Sequence, residues 1–197
     1  MKVLGIMGSP RKRGNTDLLL DEALRGARSV WAEVEKIVVC DLDIAPCREY
    51  YGCFKDGRCV IKDDMERIYP KLLEADIVIL SSPIFFYGLS AQAKALIDRC
   101  QALWARKYIL KQVDRSGRKR KGVLIAVGAT RGKRLFEGSV LTANYFFRAI
   151  DVEYSGELLV RGVDKKGEIK EHATALREAF ELGRRLALPA EEGPAQG

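Results

Sequence analysis

The opening of the chain constrains the fold most strongly, because an apolar run, a polar loop and an amphipathic segment follow one another without interruption. The run Lys2–Met7 has the length and composition of a buried strand. After the loop, apolar residues recur at helical spacing from Leu18 to Ala27. The sequence therefore predicts a strand that feeds a helix through the loop 8–17.

The composition of this loop, GSPRKRGNTD, predicts an anion site. Glycines 8 and 14 permit a close or left-handed backbone, and Ser9, Asn15 and Thr16 offer small polar side chains around a concavity. Unpaired amides at the start of the following helix add the positive end of its dipole. Five residues separate the two glycines and no Lys follows the second, which excludes a Walker A loop; the alternative is an ordinary strand-to-helix turn.

Four further apolar runs predict strands, and the segments between them predict helices. These strands are 33–40, 77–80, 122–128 and 153–160, and the later helices are expected at 63–75, 90–104, 139–150 and 171–188. The alternation predicts an α/β fold: one flavodoxin-like domain over 1–188, with a doubly wound, five-stranded parallel sheet and helices on both faces. Ligands of such sheets lie beyond the carboxyl ends of the strands, so the loops after the first, third and fourth strands should meet in one crevice.

Composition narrows the classes of partner. The formal net charge of +7 favours anionic partners, but no aromatic residues interleave with the basic ones, so nucleic acid is not expected. No apolar stretch approaches the ~20 residues that cross a bilayer, and we expect a soluble, cytoplasmic protein without a membrane partner. We expect residues 113–121 to form a solvated basic loop and residues 189–197 to form a disordered tail.

Three segments of the first half carry a family resemblance. They are the loop Gly8–Thr16, the cysteine-bearing stretch from Ile44 to Met65, and Ser82–Gly88. Together they resemble the NADPH-dependent FMN reductase branch of the flavodoxin-like superfamily and, within it, the iron-sulfur flavoproteins. The second half of the chain agrees in pattern only.

The resemblance implies a bound FMN and a role for each loop. The residues expected to bind FMN are Ser9, Arg11, Gly14, Asn15 and Thr16 at the phosphate, Pro83, Ile84, Phe85, Phe86, Tyr87 and Gly88 along the ring, and Thr130 at its pyrimidine end. The implied activity is an oxidoreductase that takes electrons from NAD(P)H or a ferredoxin-type donor and reduces a quinone or flavin, as a homodimer or homotetramer. A non-enzymatic electron carrier of flavodoxin type is the alternative.

The cysteines suggest a metal site, with an irregularity. Five cysteines, an odd number, do not suit a secreted disulfide framework and favour reduced thiols or a metal. The insertion at about 41–62 keeps Cys47, Cys53 and Cys59 of a four-cysteine iron-sulfur motif, but position 50 is Tyr. A [4Fe-4S] cluster normally takes four thiolates. Three alternatives stay open at this point: Tyr50 or another group completes a cluster, Cys40 supplies the fourth thiolate, or no metal is bound.

Overall fold

The computed structural model describes residues 1–112 and 117–189. Within these two ranges the chain forms six strands: β1 Lys2–Met7, β2 Glu33–Val38, β3 Ile77–Phe85, β4 Gly88–Leu89, β5 Lys121–Gly128 and β6 Glu153–Arg161. The same described residues form seven α-helices: α1 Asn15–Arg28, α2 Cys53–Asp56, α3 Met65–Glu74, α4 Ala91–Arg99, α5 Gln101–Tyr108, α6 Glu137–Ala149 and α7 Ala175–Ala187. Short 3-10 helices lie at Val39–Asp41 and Glu168–Glu171. No helix in these two ranges is long and apolar enough to span a membrane.

Five strands form the predicted parallel sheet in the order β2-β1-β3-β5-β6, and β4 adds a short antiparallel pairing to the end of β3. The chain runs from β1 outward to β2 and then returns to place β3 on the other side of β1. The loops that leave β1 and β3 therefore diverge to opposite faces of the sheet. Ligands of doubly wound sheets occupy this kind of crevice at the carboxyl ends of the strands.

Alternation along the strands divides the core into two layers. One face of the sheet packs against α3, α4, α5 and α6, with Leu4, Ile6 and Leu80 among its strand residues. The other face packs against α1 and α7 and takes the alternate side chains, among them Val3 and Met7. A strand that is buried on both faces in this way reads as a continuous apolar run, which is why β1, β3 and β5 could be recognised in the sequence.

Two glycines let α1 and α7 touch backbone to backbone. A Cβ built on Gly26 would lie 1.9 Å from the carbonyl oxygen of Phe180, and one on Gly183 would lie 1.8 Å from that of Ala23. Any side chain at either position would push the two helices apart. This contact fixes α7 behind the helix that follows the 8–14 loop.

Some predicted boundaries were wrong. β2 ends at Val38 rather than at residue 40, and the helix expected over 90–104 is broken at Cys100 into α4 and α5. The third strand continues through residues 81–85, which the composition had suggested were a loop. Ser81 and Ser82 stay in a buried strand because their hydroxyls bond internally: Ser81 donates to the carbonyl of Thr16 at 2.8 Å, and Ser82 accepts from the amide of Ser90 at 3.0 Å. Residues 113–116 of the predicted basic loop and 190–197 of the predicted tail lie outside the described residues.

Candidate functional site

The loops after β1, β5 and β6 and the carboxyl end of β3 converge on one cavity of about 90 Å³ at the carboxyl end of the sheet. Its lining consists of Ser9, Arg11, Gly14, Asn15, Thr16, Pro83, Ile84, Phe85, Val127, Ala129, Val163, Asp164 and Lys166. All five residues predicted for the phosphate and the first three predicted for the ring are therefore brought together. Phe86, Tyr87, Gly88 and Thr130 do not line this cavity, although their loops border it.

The loop after β1 is held by its own hydrogen bonds. The hydroxyl of Ser9 accepts from the amide of Arg11 at 3.1 Å, and the amide of Gly14 donates to the carbonyl of Arg11 at 3.0 Å. The left-handed residue is Arg13, with φ of 58°, whereas Gly14 has an extended backbone with φ of −77°. Gly8 is needed for space instead, because a Cβ there would lie 2.7 Å from that of Ala93.

The start of α1 provides unpaired donors at this cavity. The helix begins at Asn15, and Gly14 before it supplies no side-chain cap. Among the described residues, no acceptor bonds to the amides of Asn15, Thr16 or Asp17. The exposed guanidinium of Arg11 also has no carboxylate within salt-bridge distance in the described part of the chain. Free amides and an unpaired cation at a helix N-terminus suit an anion such as a phosphate.

A loop that the sequence reasoning missed forms one wall of the cavity. The side-chain amide of Asn15 donates to the carbonyl of Lys165 at 2.9 Å, and its oxygen accepts from the amide of Ile169 at 3.2 Å. These two bonds fix the segment after β6 against α1 and place Lys166 and Asp164 at the cavity. In the sequence this segment showed only a basic pair, 165–166, which by itself indicates no position in the fold.

The β3–β4 hairpin presents aromatic side chains beside the cavity. Phe86 and Tyr87 both have left-handed backbones, with φ of 49° and 63°, at the tip where hairpins favour Asn and Gly. Bulky residues in this region of φ carry strain, which occurs most often at functional sites. Phe86 is fully exposed, and the hydroxyl of Tyr87 lies close to Gly132 in the loop after β5. The tip therefore offers flat apolar surface just outside the cavity.

A second, larger cavity of about 510 Å³ lies in the cysteine-bearing insertion. Cys47, Tyr50, Cys53 and Cys59 line it together with Asp98 and Gln101 from α4 and α5. Burial, with the neighbouring thiols of Cys59 and Cys47, raises the pKa of Cys53 above its ordinary value. The three cysteines of the predicted metal site therefore share one cavity. It has no lining residue in common with the cavity at the end of the sheet.

A buried arginine holds the two ends of this insertion together. The guanidinium of Arg99 donates to the carbonyls of Ala45 at 2.8 Å and Ile61 at 3.2 Å, and it forms a two-point ion pair with Asp63. Both side chains are almost wholly buried. Burial alone would raise the pKa of Asp63, but hydrogen bonds from Arg99 and from the amides of Met65 and Ala45 lower it overall. These contacts hold the two ends of the insertion next to each other.

Within residues 1–112 and 117–189, no three His, Cys, Asp or Glu side chains converge as ligands of a single metal ion. A cluster places a different iron at each thiolate and does not require that convergence. Three thiols around one cavity fit a cluster with three thiolate ligands and one other donor. They do not fit a four-thiolate [4Fe-4S] site.

We compared the sequence with known protein families and with characterised relatives. The family model described as "NADPH-dependent FMN reductase" matches residues 1–153. The chain belongs to this family. Its relatives include an iron-sulfur flavoprotein of Methanocaldococcus jannaschii, 42% identical over 131 residues, and one of Methanosarcina thermophila, 34% identical over 131 residues. These alignments cover 66% of this chain and 64% and 65% of the two relatives.

Other comparisons extend over more than nine tenths of the chain. A putative NAD(P)H-dependent FMN-containing oxidoreductase of Bacillus subtilis, YwqN, is 26% identical over 186 residues, which are 94% of this chain and 98% of that protein. Among solved structures, an NAD(P)H:quinone oxidoreductase from Methanothermobacter marburgensis superposes with a TM-score of 0.70 at 15% identity, over 94% of this chain and 98% of that one. An archaeal flavodoxin superposes with a TM-score of 0.54 at 18% identity, over 95% and 96% of the two chains. These structures confirm the flavodoxin-like fold.

Proposed function

We propose that the protein is an FMN-dependent oxidoreductase that takes electrons from NAD(P)H and passes them to a quinone or flavin. The observation that carries this proposal is the convergence of the loops after β1 and β5 and the carboxyl end of β3 on one cavity with a helix N-terminus at its base. Membership of the NADPH-dependent FMN reductase family supports the choice of FMN as the ligand.

The cavity is too small to enclose the whole of FMN. Pockets that enclose a whole small-molecule ligand measure roughly 300–1,000 Å³, whereas this one measures about 90 Å³. In the proposal, the cavity encloses the phosphate, with Ser9, Arg11, Asn15, Thr16 and the amides of the first turn of α1 around it. The ring then lies outside, against residues 83–88 and near the loop that contains Thr130.

The protein residues bind and orient, and the cofactor supplies the reactivity. FMN, when bound, would supply the hydride-transfer and electron-transfer chemistry. No general acid or base of the chain is assigned. Hydrogen-bond donors of the loop after β5, such as Thr130, would stabilise negative charge at the pyrimidine end of the ring.

The proposed position of the ring also fits the proposed assembly. A flat ring on the exposed hairpin is open to NAD(P)H and to a quinone, and a second copy of the chain could cover its free edge in a homodimer or homotetramer. Cytoplasmic localisation and a ferredoxin-type donor stay predictions. So does the single domain over 1–188.

The test is an FMN titration of the purified protein, followed by steady-state oxidation of NADH and NADPH with a quinone as acceptor. The proposal predicts tight binding of FMN and catalytic turnover with at least one of the two nucleotides. Binding of FMN without turnover would favour the flavodoxin-type electron carrier. A protein that does not bind FMN would contradict both functions.

A further inference from the structure

We propose that the cysteine cavity is a three-thiolate iron-sulfur site in which Tyr50, not a fourth cysteine, ligates the remaining iron through its phenolate oxygen. The site would hold a [4Fe-4S] cluster with Cys47, Cys53 and Cys59 on three of its irons. Relatives of this chain are named iron-sulfur flavoproteins. The oxygen ligand is the feature that this sequence and structure add.

The other two cysteines do not lie at the cavity. Cys40 lies in the 3-10 helix after β2, where its thiol faces the carboxylate of Asp41, which pairs with Lys12 of the loop after β1. Cys100 is buried at the junction of α4 and α5, and its thiol donates to the carbonyl of Leu96 at 3.4 Å. Neither lines the cavity, so only three thiolates are available there.

Tyr50 lies on the wall of the same cavity, between two of the thiols in the chain. The residues on either side of it, Glu49 and Tyr51, have left-handed backbones, with φ of 52° and 54°. Two such residues are costly unless surrounding contacts hold them, and strain of this kind occurs at binding sites. Arg48 donates to the Tyr50 hydroxyl oxygen at 3.4 Å, which leaves that oxygen able to accept a second partner.

Four other side chains with oxygen donors line the wall, those of Glu49, Tyr51, Asp98 and Gln101, so the fourth ligand has to be identified by substitution of Tyr50 itself. The carboxylate of Asp98 also lines the cavity, but both of its oxygens accept from Lys94 one turn earlier, at 2.7 and 2.9 Å. Asp98 is therefore occupied in an ion pair on the surface of α4. The geometry favours Tyr50 over Asp98 as the fourth ligand.

An oxygen ligand should make one iron more labile than the other three. Iron-sulfur irons prefer soft thiolate ligands, and ligand type together with hydrogen bonding sets the stability and potential of a cluster. One-electron oxidation of a [4Fe-4S]²⁺ cluster gives a 3+ state, which can release one Fe²⁺ and leave a [3Fe-4S]⁺ cluster. The oxygen-ligated iron should be the one released.

The experiment uses the full chain, purified anaerobically and reconstituted with iron and sulfide, as wild type and as Tyr50→Phe, Tyr50→Cys and Asp98→Asn. Iron per chain is measured before and after one equivalent of ferricyanide, and the EPR spectrum reports the [3Fe-4S]⁺ product. Resonance Raman spectroscopy detects an iron-phenolate vibration. FMN content is measured on each sample and should not change, because the two cavities share no residue.

We expect four irons per wild-type chain, an iron-phenolate vibration, and loss of one iron on oxidation. Tyr50→Phe should lack the vibration and lose the iron at least several-fold faster, Tyr50→Cys should retain all four irons, and Asp98→Asn should behave as wild type. A wild type that binds no cluster would overturn the proposal. So would equal spectra and iron loss in wild type and Tyr50→Phe, or loss of the vibration in Asp98→Asn. If FMN binds and these results fail, only the cluster proposal falls.

Discussion

Replacement of Arg11 by Ala should weaken FMN binding without weakening binding of riboflavin, which lacks the phosphate. The side chain lines the cavity at the start of α1 and has no carboxylate partner among the described residues. Hydrogen bonds to charged groups contribute roughly 1.5–3 kcal/mol. Because Arg11 is exposed to solvent, we expect the lower end of that range, and about 1.4 kcal/mol corresponds to a tenfold rise in Kd.

Lys166→Ala tests the phosphate contact at the opposite wall of the cavity, which the segment after β6 forms. Lys166 is exposed and lines the cavity from the opposite loop, so Lys166→Ala should raise the Kd for FMN by a smaller factor, roughly two- to fivefold for a screened surface charge. Lys165→Ala is the matched control, because Lys165 is adjacent in the chain and its side chain does not line the cavity.

The assay is a fluorescence titration of apoprotein with FMN and with riboflavin, at low and at high salt. Arg13→Ala serves as the control within the loop after β1, since Arg13 does not line the cavity. The ratio of the affinity for FMN to that for riboflavin should fall in Arg11→Ala, and this effect should shrink with added salt. An unchanged FMN affinity, or an equal loss for riboflavin, would refute a phosphate contact at Arg11.

Three further predictions concern the frame around the two cavities. Gly26→Ala should cost roughly 1–3 kcal/mol of unfolding free energy in a denaturant titration, because α1 and α7 must separate, whereas Gly88→Ala, with only a contact at 3.6 Å, should not. Asn15→Ala should weaken FMN binding and speed amide exchange at Ile169, since it releases the loop after β6; unchanged exchange would contradict this role. The lowered pKa of Asp63 adds stability above its ordinary value near 3.8 that is lost as pH falls below it, so Asp63→Asn should flatten the acid limb of a stability–pH curve.

The fold could be predicted from the sequence because its central strands are buried on both faces. Continuous apolar runs mark β1, β3 and β5, and the helices between them have one apolar side. The end of β3 was missed, since Ser81 and Ser82 look like loop residues until their buried partners, the carbonyl of Thr16 and the amide of Ser90, are known. Those partners are distant in sequence, and local composition does not indicate them.

The candidate site could be predicted only in part, because local composition marks some of its residues and long-range contacts bring in the others. The loop after β1 has an unusual composition within a few residues, so its polar side chains could be recognised as a set. The wall from Val163 to Lys166 could not, because it reaches the cavity through the two hydrogen bonds of Asn15, some 150 residues earlier in the chain. The closure of the cysteine insertion by Arg99 and Asp63 is likewise a long-range contact.

FMN binding across the carboxyl end of the sheet is the central claim, and a crystal structure of the protein grown with FMN tests it directly. We expect the phosphate at the start of α1, within hydrogen-bond distance of the Thr16 amide and the Ser9 hydroxyl, and the ring against residues 83–88. FMN bound in the cysteine cavity, or a ring on a face of the molecule remote from the hairpin, would contradict it.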